Sequence, residues 1–250
     1  MSIRKETYCQ QVVEYVRRAI RMGDLLPGTP LTEQMLVDRL GISRAPIREA
    51  LQILTTEGLI VTYLRKGRLI NSLTPKEIMN STFIAGTLEG ALAVLAIADD
   101  TENRFKNMAA ILAEMKKLGR DEDSILRMET LGDEFHRLVC GQNAMDTMVD
   151  YARTLCEGIS KKLYYRHWRE LFTPSERHAR HMRVYEALLS RNPSRIEHII
   201  REHHLEVGMS LCERLQQEET RKNSCSVAET ATPWVSPVNN IKANICESAL

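Results

Sequence analysis

Residues 32–58 constrain the fold more than any other part of the chain. The segment reads TEQMLVDRLGISRAPIREALQILTTEG and predicts two short amphipathic helices separated by only three residues. Thr32 is placed to cap the first helix, and Gly41 to end it in the left-handed conformation. Ser43 is placed to cap the second helix. The apolar face of this second helix consists of Ile47, Ala50, Leu51 and Leu54.

The first turn of the second helix is predicted to be exposed and basic. It contains Ser43, Arg44, Ala45 and Arg48. In a tight helix–turn–helix, a second helix that opens with arginines is suited to place its N-terminal turn in the major groove of DNA. A solvated basic surface is the alternative interpretation of such a short motif. The pattern favours DNA binding.

A β-hairpin is predicted directly after the two helices. The segment 59–63 (LIVTY) predicts one strand and 68–71 (RLIN) predicts its partner, with a turn at LRKG between them. A hairpin in this place is a wing. Its basic tip, Arg65, Lys66 and Arg68, is expected along the phosphate backbone or in the minor groove.

The remaining chain predicts helices with short connections. One helix, from about Lys5 to Met22, precedes the helix–turn–helix. Later helices are predicted near 76–98, 101–118, 122–140, 144–170, 175–190 and 194–217. The predicted fold class is therefore mainly α, with an N-terminal winged helix–turn–helix over 1–73 and a C-terminal antiparallel all-helical bundle over 74–217. Residues 218–250 are rich in Ser, Thr, Pro and Asn and predict a disordered tail.

Charge and cysteine usage fit a DNA-binding protein of the cytoplasm. Residues 1–75 hold eleven Lys and Arg against seven Asp and Glu, a net charge of +4, whereas the remainder is net negative. The six cysteines show no paired spacing and predict a reduced protein. The N-terminus resembles no signal peptide, and the apolar run 91–98 is too short to span a bilayer. We expect a cytoplasmic, nucleoid-associated protein without membrane contact.

The segment 23–60 closely resembles the winged-helix domain of GntR-family transcription regulators. It carries the family's G-x-L-x-P-G-x-x-L element, then LGISRAPIREAL, then EGLI and a wing with a glycine at its tip. The all-helical remainder, over 76–217, resembles the effector domain of the FadR type, often called FCD. The resemblance implies a regulator that binds double-stranded DNA as a homodimer.

The resemblance also implies which residues contact DNA. Arg44 and Arg48 would contact guanine edges or phosphate, and Ser43 would contact phosphate. Lys66 and Gly67 in the wing would approach the minor groove. Ala45 lies in the same exposed turn. A further family position, often arginine, is Gln34 here, and glutamine can read adenine.

A metal site is implied in the bundle. Metal-binding FCD members use an aspartate four residues before a histidine, together with two later histidines about 22 residues apart. His136, His181 and His203 match the three histidines, and Gly132 occupies the aspartate position. Asp133 is the nearest carboxylate and is the remaining candidate ligand. A site with Asp133, a site of three histidines and loss of the metal all stay open.

The expected cofactor is a divalent metal ion such as Zn, with Ni or Mn as alternatives. The expected effector is a small carboxylate, for which Arg153 and Arg166 are candidate partners by their position on the predicted fourth helix. The predicted function is a ligand-responsive transcription repressor that binds a palindromic operator. The alternatives are a DNA-binding regulator without metal or effector, and a metal-dependent enzyme. The chain contains no HExxH motif, and an enzyme would leave the winged helix unexplained.

Overall fold

A computed structural model describes residues 7–97, 102–141 and 158–226 of the chain. The N-terminal part has three helices and a hairpin. These are α1 (Tyr8–Met22), α2 (Glu33–Leu40), α3 (Arg44–Thr56), β1 (Ile60–Tyr63) and β2 (Gly67–Ile70). The predicted mainly α fold with a winged helix–turn–helix is confirmed, including the break of three residues between α2 and α3.

The helix ends follow the local sequence signals. Thr7 caps α1 with its hydroxyl on the amide of Gln10, and the Gln10 side chain bonds back to Thr7. The predicted start at Lys5 lies outside the described residues. Gly41 ends α2 at a φ of +67°, the left-handed region that a glycine enters without strain.

The core of the N-terminal part lies between α1, α3 and the hairpin. Val12 and Val16 of α1 are fully buried, as are Ile47 and Leu51 of α3. The hairpin is antiparallel, with Ile60 opposite Ile70 at its base and Tyr63 opposite Gly67 at its tip. This packing fixes α3 so that its polar first turn faces solvent.

The C-terminal part is a bundle of helices, as predicted. Its helices are α4 (Pro75–Leu95), α5 (Glu102–Met115), α6 (Glu122–Val139), α7 (Ile159–Leu163), α8 (Tyr165–Arg169), α9 (Pro174–Leu189) and α10 (Pro193–Ser226). Phe135 of α6 is fully buried at the centre of a core built mainly from α5, α6, α9 and α10. Three of these helices, α6, α9 and α10, carry the histidines of the site described below.

The predicted helix 144–170 differs from the observed structure. Its first part, 144–157, lies outside the described residues, and its end is two five-residue helices, α7 and α8, that meet at Tyr164. The hydroxyl of Tyr164 accepts a hydrogen bond from the amide of Leu73 at 2.9 Å. This bond to the linker holds Tyr164 in a non-helical conformation, with φ −116° and ψ 30°, which breaks the helix.

The predicted tail begins later than expected. Helix α10 continues to Ser226, so residues 218–226 are helical. Their sequence, EETRKNSCS, contains neither Gly nor Pro and opens with good helix formers, which explains the extension. Residues 227–250 lie outside the described part of the chain.

Two glycines let α4 and α10 approach closely. A Cβ atom at Gly86 would lie 2.9 Å from the Cα of Arg201, and one at Gly90 would lie 3.1 Å from the Cα of Glu197. Both distances are too short for a larger side chain to fit without movement. The contact brings Glu89, which lies between the two glycines, against α10.

Among the described helices, α4 is long and apolar enough to cross a membrane by length and composition alone.

Candidate functional site

The predicted DNA-contacting residues form one exposed surface on α2 and the start of α3. Gln34, Arg44, Ala45 and Arg48 are all exposed. The guanidinium of Arg44 donates a hydrogen bond to Oε1 of Gln34 at 2.7 Å, and the amide of Gln34 donates to Asp38 at 2.7 Å. The structure therefore brings Gln34 and the arginines together on the side of the helix–turn–helix that faces solvent.

Glu33 holds two arginines at this surface. Its carboxylate accepts from Arg48 at 2.8 Å and from Arg68 of β2 at 3.1 Å. Both hydrogen bonds lower the pKa of Glu33 below its ordinary value, and the bond from Arg48 has the larger effect. Arg68 therefore ties the wing to α2, whereas Lys66 remains exposed at the wing tip.

Ser43 and Gly67 occupy the positions that the sequence predicts. Ser43 lies at the N-cap of α3, but its hydroxyl makes no capping hydrogen bond and is exposed. Gly67 begins β2 at a φ of +72°, where a side chain would strain the turn. The Ser43 hydroxyl and the amides of the first turn of α3 are thus open to an anion from solvent.

Three histidines from three helices meet inside the bundle. His136 of α6, His181 of α9 and His203 of α10 place their candidate ligand atoms within 4.8 Å of one another. The ring centre of His136 lies 5.3 Å from that of His181 and 5.1 Å from that of His203. The three predicted histidines are therefore brought together, and we call them the histidine cluster.

Two ring nitrogens of the cluster are buried and lack a hydrogen-bond partner among the described residues. They are Nε2 of His181 and Nδ1 of His203. The other nitrogen of His181, Nδ1, lies 2.7 Å from the carbonyl oxygen of Arg177. Burial lowers the pKa of His181 to about 3 and holds the pKa of His203 well below its ordinary value. Both rings are therefore neutral near pH 7, which is the form that binds metal ions.

Glu89 and His204 adjoin the cluster. Glu89 of α4 is 0% exposed, and its Oε1 lies 2.6 Å from Nδ1 of His136. Its Oε2 contacts Nε2 of His204. Burial alone would raise the pKa of Glu89, but the adjacent imidazoles of His136 and His204 outweigh it and lower the pKa. Burial likewise acts to lower the pKa of His136, and the Glu89 charge reverses that shift.

Asp133 is not brought to the cluster. It is exposed and bonds Nζ of Lys161 in α7 at 2.9 Å. Asp133 lies three positions before His136, on the neighbouring face of α6, and its contact with Lys161 holds it away from the other two histidines. At the aspartate position of the family pattern, a Cβ atom on Gly132 would lie 3.7 Å from Nε2 of His181.

A cavity of about 430 Å³ opens beside the histidine cluster. Arg177 lines it, and its guanidinium donates to the carbonyl oxygens of Phe172, Trp168 and Arg169. The same guanidinium lies over the Trp168 ring, 4.6 Å from the ring centre. Burial lowers the pKa of Arg177, although its charge is retained at neutral pH. The cavity thus contains a cation whose described hydrogen-bond partners are neutral carbonyl groups.

Arg166, one of the two predicted effector residues, does not line this cavity. Arg153 lies outside the described residues. Arg166 is exposed and packs beside Gly23 at the end of α1, because a Cβ atom on Gly23 would lie 3.8 Å from its side chain. The prediction places Arg166 by counting along one continuous helix, 144–170. Because this helix is interrupted at Tyr164, that count does not give the position of Arg166.

Sequence reasoning missed three residues of this region. Glu89 is the charged residue within the apolar stretch 83–95 of α4, which is a usable signal of a buried polar contact. Arg177 lies four residues before His181 and therefore on the same helix face. His204 carried no signal that separates it from His203.

The cavity and the N-terminal part share a wall. Helices α7 and α8 pack against α1 on one side. On the other side, Lys161 of α7 and Trp168 of α8 line the cavity. The guanidinium of Arg21 in α1 lies 5.0 Å over the ring centre of Tyr165 in α8. A change in the cavity can therefore reach α1 through direct contacts.

Two family models match the chain. The model described as "Bacterial regulatory proteins, gntR family" matches residues 9–70, and the model "FCD domain" matches residues 84–206. The first covers the winged helix and the second covers the bundle with its histidine cluster.

Curated relatives match more than four fifths of the chain. The HTH-type transcriptional repressor RspR of Escherichia coli (strain K12) is 26% identical over 215 residues, which cover 84% of this chain and 91% of the relative. The Glc operon transcriptional activator of the same strain is 25% identical over 224 residues, with 81% and 88% covered. The solved structure "E. coli McbR/YncC" has a TM-score of 0.60 at 18% identity, covering 84% of this chain and all of that one, and supports the fold alone.

The fold and the matched domains define a transcription regulator with a DNA-binding winged helix and a helical effector domain. The chain belongs to the GntR family of bacterial regulatory proteins, in the FadR-type subfamily that carries an FCD domain. The family and the curated relatives are regulators and not enzymes.

Proposed function

We propose that the chain is a ligand-responsive repressor that binds a palindromic operator as a homodimer and senses a small carboxylate in a metal-containing cavity. One observation supports this proposal above the others. The cavity that holds the histidine cluster and Arg177 shares its α7–α8 wall with α1 of the winged helix. Occupation of the cavity would therefore act on the element that supports α3.

The exposed surface on α2 and α3 would bind DNA. Arg44 and Arg48 lie in the first turns of α3, where a recognition helix enters the major groove, and Gln34 is bonded to Arg44. Glu33 competes for Arg48 in the free protein. Ser43 and the wing residue Lys66 would contact phosphate groups.

The donor set of the histidine cluster fits a divalent metal ion. His136, His181 and His203 would hold the ion, since two of them have buried nitrogens without a partner. Three imidazoles suit Zn, and Ni or Mn remain alternatives. A bound ion would supply a Lewis acid that attracts a carboxylate oxygen of the effector. Asp133 would join only after a local change, because it is bonded to Lys161.

The effector would be an anion. Arg177 provides a buried positive charge on the cavity wall, and its described hydrogen bonds go to backbone carbonyls, while the Glu129 carboxylate acts on it through its charge. A small carboxylate between the metal and Arg177 would complete the pairing. Arg166, which lies beside Gly23, is assigned to the contact with α1 instead.

Exposed apolar side chains support a dimer. Phe83 and Ile84 of α4 are about half exposed, and Leu95 on the same helix is 62% exposed. A two-fold dimer through the bundle would place two α3 helices about one DNA turn apart.

RspR is named as a repressor and the Glc operon protein as an activator, so the repressor assignment depends on the proposed relief of binding by ligand. Such a regulator acts in the cytoplasm, at the nucleoid.

The DNA assignment is tested with a duplex that the wild-type chain selects from a random library. Arg44→Ala and Arg48→Ala are each expected to weaken binding by about 1–3 kcal/mol, the usual value of a specific arginine contact. Arg127→Ala is the matched control, because Arg127 is an exposed bundle arginine paired with Glu114. All variants should keep the dimer in analytical ultracentrifugation. Unchanged affinity in both recognition-helix variants would overturn the assignment.

The effector assignment is tested with a panel of small mono- and dicarboxylic acids on the Zn-loaded protein. An acid that raises the melting temperature is expected to weaken duplex binding by about 5- to 150-fold, the usual range of allosteric coupling. Arg177→Gln should reduce binding of that acid and leave duplex affinity in its absence unchanged. If no acid binds and the purified protein holds no metal, the alternative of a regulator without metal or effector is supported instead.

A further inference from the structure

Glu89 is buried in a place where a charge requires a specific reason. It is 0% exposed and lies on the α4 face that packs against α10. Removing a carboxylate from water is strongly unfavourable unless polar partners replace the water. Its partners here are two imidazoles, His136 at 2.6 Å and His204. One of these, His136, belongs to the histidine cluster.

The direction of the hydrogen bond sets the tautomer of His136. An ionised carboxylate only accepts hydrogen bonds, so Nδ1 of His136 carries a hydrogen and donates this bond to Glu89. A neutral imidazole with its proton on Nδ1 has its lone pair on Nε2. Because Nδ1 faces Glu89, Nε2 is the His136 nitrogen left to act with His181 and His203.

We propose that Glu89 is a positioning residue for the metal site: it holds His136 as the Nδ1–H tautomer, in the ring orientation that presents Nε2 to the ion. The inference depends on the metal site of the proposed function. A carboxylate behind a ligating histidine fixes the ring and raises its basicity. His204 holds the second oxygen of Glu89 and so fixes the carboxylate itself.

The charge balance of the site supports the same role. Three neutral imidazoles add no negative charge to a divalent ion, and Gly132 has no side chain to add one. Glu89 brings a single negative charge next to the cluster without occupying a coordination position. The carboxylate that compensates the ion therefore comes from α4, and the position 132 on α6 is left open to the cavity.

Two other carboxylates at the cavity have different partners. Asp133 bonds Lys161, and Glu129 accepts a hydrogen bond from Tyr165. Neither contact involves the histidine cluster. Glu129 is nonetheless buried and lines the same cavity, so it provides a matched control for removal of a negative charge.

The test compares Glu89→Gln with Glu129→Gln in the full chain, with Zn²⁺ alone as the probe. Glu89→Gln keeps the shape and an acceptor for His136 but removes the charge. We expect its Zn²⁺ affinity, measured by competition with a chromophoric chelator, to fall about 10- to 100-fold at an unchanged stoichiometry. Glu129→Gln should bind Zn²⁺ as the wild type does. The melting temperature of each metal-free protein shows whether the fold is retained.

A second measurement needs no variant. Long-range ¹⁵N–¹H spectra of the Zn²⁺-loaded wild type should show His136 protonated at Nδ1 and coordinated through Nε2. Coordination through Nδ1, or wild-type affinity in Glu89→Gln, would overturn the positioning role. The Co²⁺ spectra of the wild type and of Glu89→Gln provide a further comparison. If the variant lacks an oxygen ligand that the wild type has, Glu89 is a direct ligand and the positioning role is overturned. A wild type that binds no Zn²⁺ would instead overturn the metal part of the proposed function.

Discussion

The hydroxyl of Tyr165 in α8 donates a hydrogen bond to the Glu129 carboxylate in α6 at 2.6 Å. The ring of the same tyrosine lies under the guanidinium of Arg21 from α1. Glu129 lines the cavity, and its Oε1 is buried without a hydrogen-bond partner among the described residues. Tyr165 is therefore a single side chain that contacts both the cavity wall and the DNA-binding part.

Tyr165→Phe should destabilise the protein. It removes the one described hydrogen bond to a buried carboxylate whose other oxygen has only an ion pair with Arg169 at 3.6 Å, a loss of about 1–3 kcal/mol. Urea unfolding followed by circular dichroism measures the change. Tyr185→Phe is the control, because Tyr185 packs on Phe105 and its hydroxyl has no described hydrogen bond. An equal effect of the two changes would contradict the assigned role.

Alkaline pH should weaken the same contact. Burial, followed by the hydrogen bond to Glu129, raises the pKa of Tyr165 to about 12. An unfolded tyrosine ionises near pH 10, so above that pH the unfolded state releases a proton that the folded state keeps. The stabilisation is complete below about pH 10 and is lost as the pH rises through about 12.

The difference in unfolding free energy between wild type and Tyr165→Phe should therefore shrink from about pH 9 to about pH 11. Urea unfolding at several pH values in this range provides the measurement. A Tyr165→Phe difference that does not change with pH would show that Tyr165 ionises normally.

Gly132→Asp should strengthen metal binding. The added Cβ atom has room, at 3.7 Å from Nε2 of His181, and the carboxylate would point to a ring nitrogen that has no partner. We expect Zn²⁺ affinity to rise by about tenfold or more, which corresponds to about 1.4 kcal/mol. Gly132→Ala is the control. It should leave the affinity unchanged and stabilise α6 by up to about 1 kcal/mol. Equal affinities of the two variants would be the contrary result.

Lys66→Ala should weaken DNA binding without altering sequence preference. Lys66 is exposed at the wing tip, and a phosphate contact contributes affinity on every sequence. The slope of log affinity against log salt should decrease in magnitude by about 1. Fluorescence anisotropy on the selected duplex and on a scrambled one measures both effects. Lys116→Ala, at the exposed end of the bundle, should change neither, and a loss confined to the selected duplex would argue for base contact instead.

The winged helix could be predicted because its signals are local. Gly41 and Thr32 mark the ends of α2 within a few residues, and the apolar face of α3 repeats at helical spacing. The meeting of His136, His181 and His203 followed from the spacing that the family resemblance supplies. Each of these predictions depends on residues whose relation is set along one helix or by a known pattern.

The remaining features depend on contacts between distant residues. Glu89 meets His136 across 47 positions and His204 across 115, and no spacing in the sequence marks either pair. The break at Tyr164 depends on a hydrogen bond to Leu73, 91 positions away. Asp133 faces Lys161 and not the cluster because α7 packs beside α6, which local periodicity does not reveal.

The close contact between α4 and α10 determines which side of the cavity can yield. At Gly86 and Gly90 the two backbones are already in contact, so α4 and α10 cannot move closer together. The opposite side is made of α7 and α8, five residues each, and these rest on α1. A ligand that is too large for the cavity of about 430 Å³ would therefore displace α7 and α8. We therefore expect the charge of the ligand to determine whether it binds, and its volume to determine how far the DNA-binding surface is displaced.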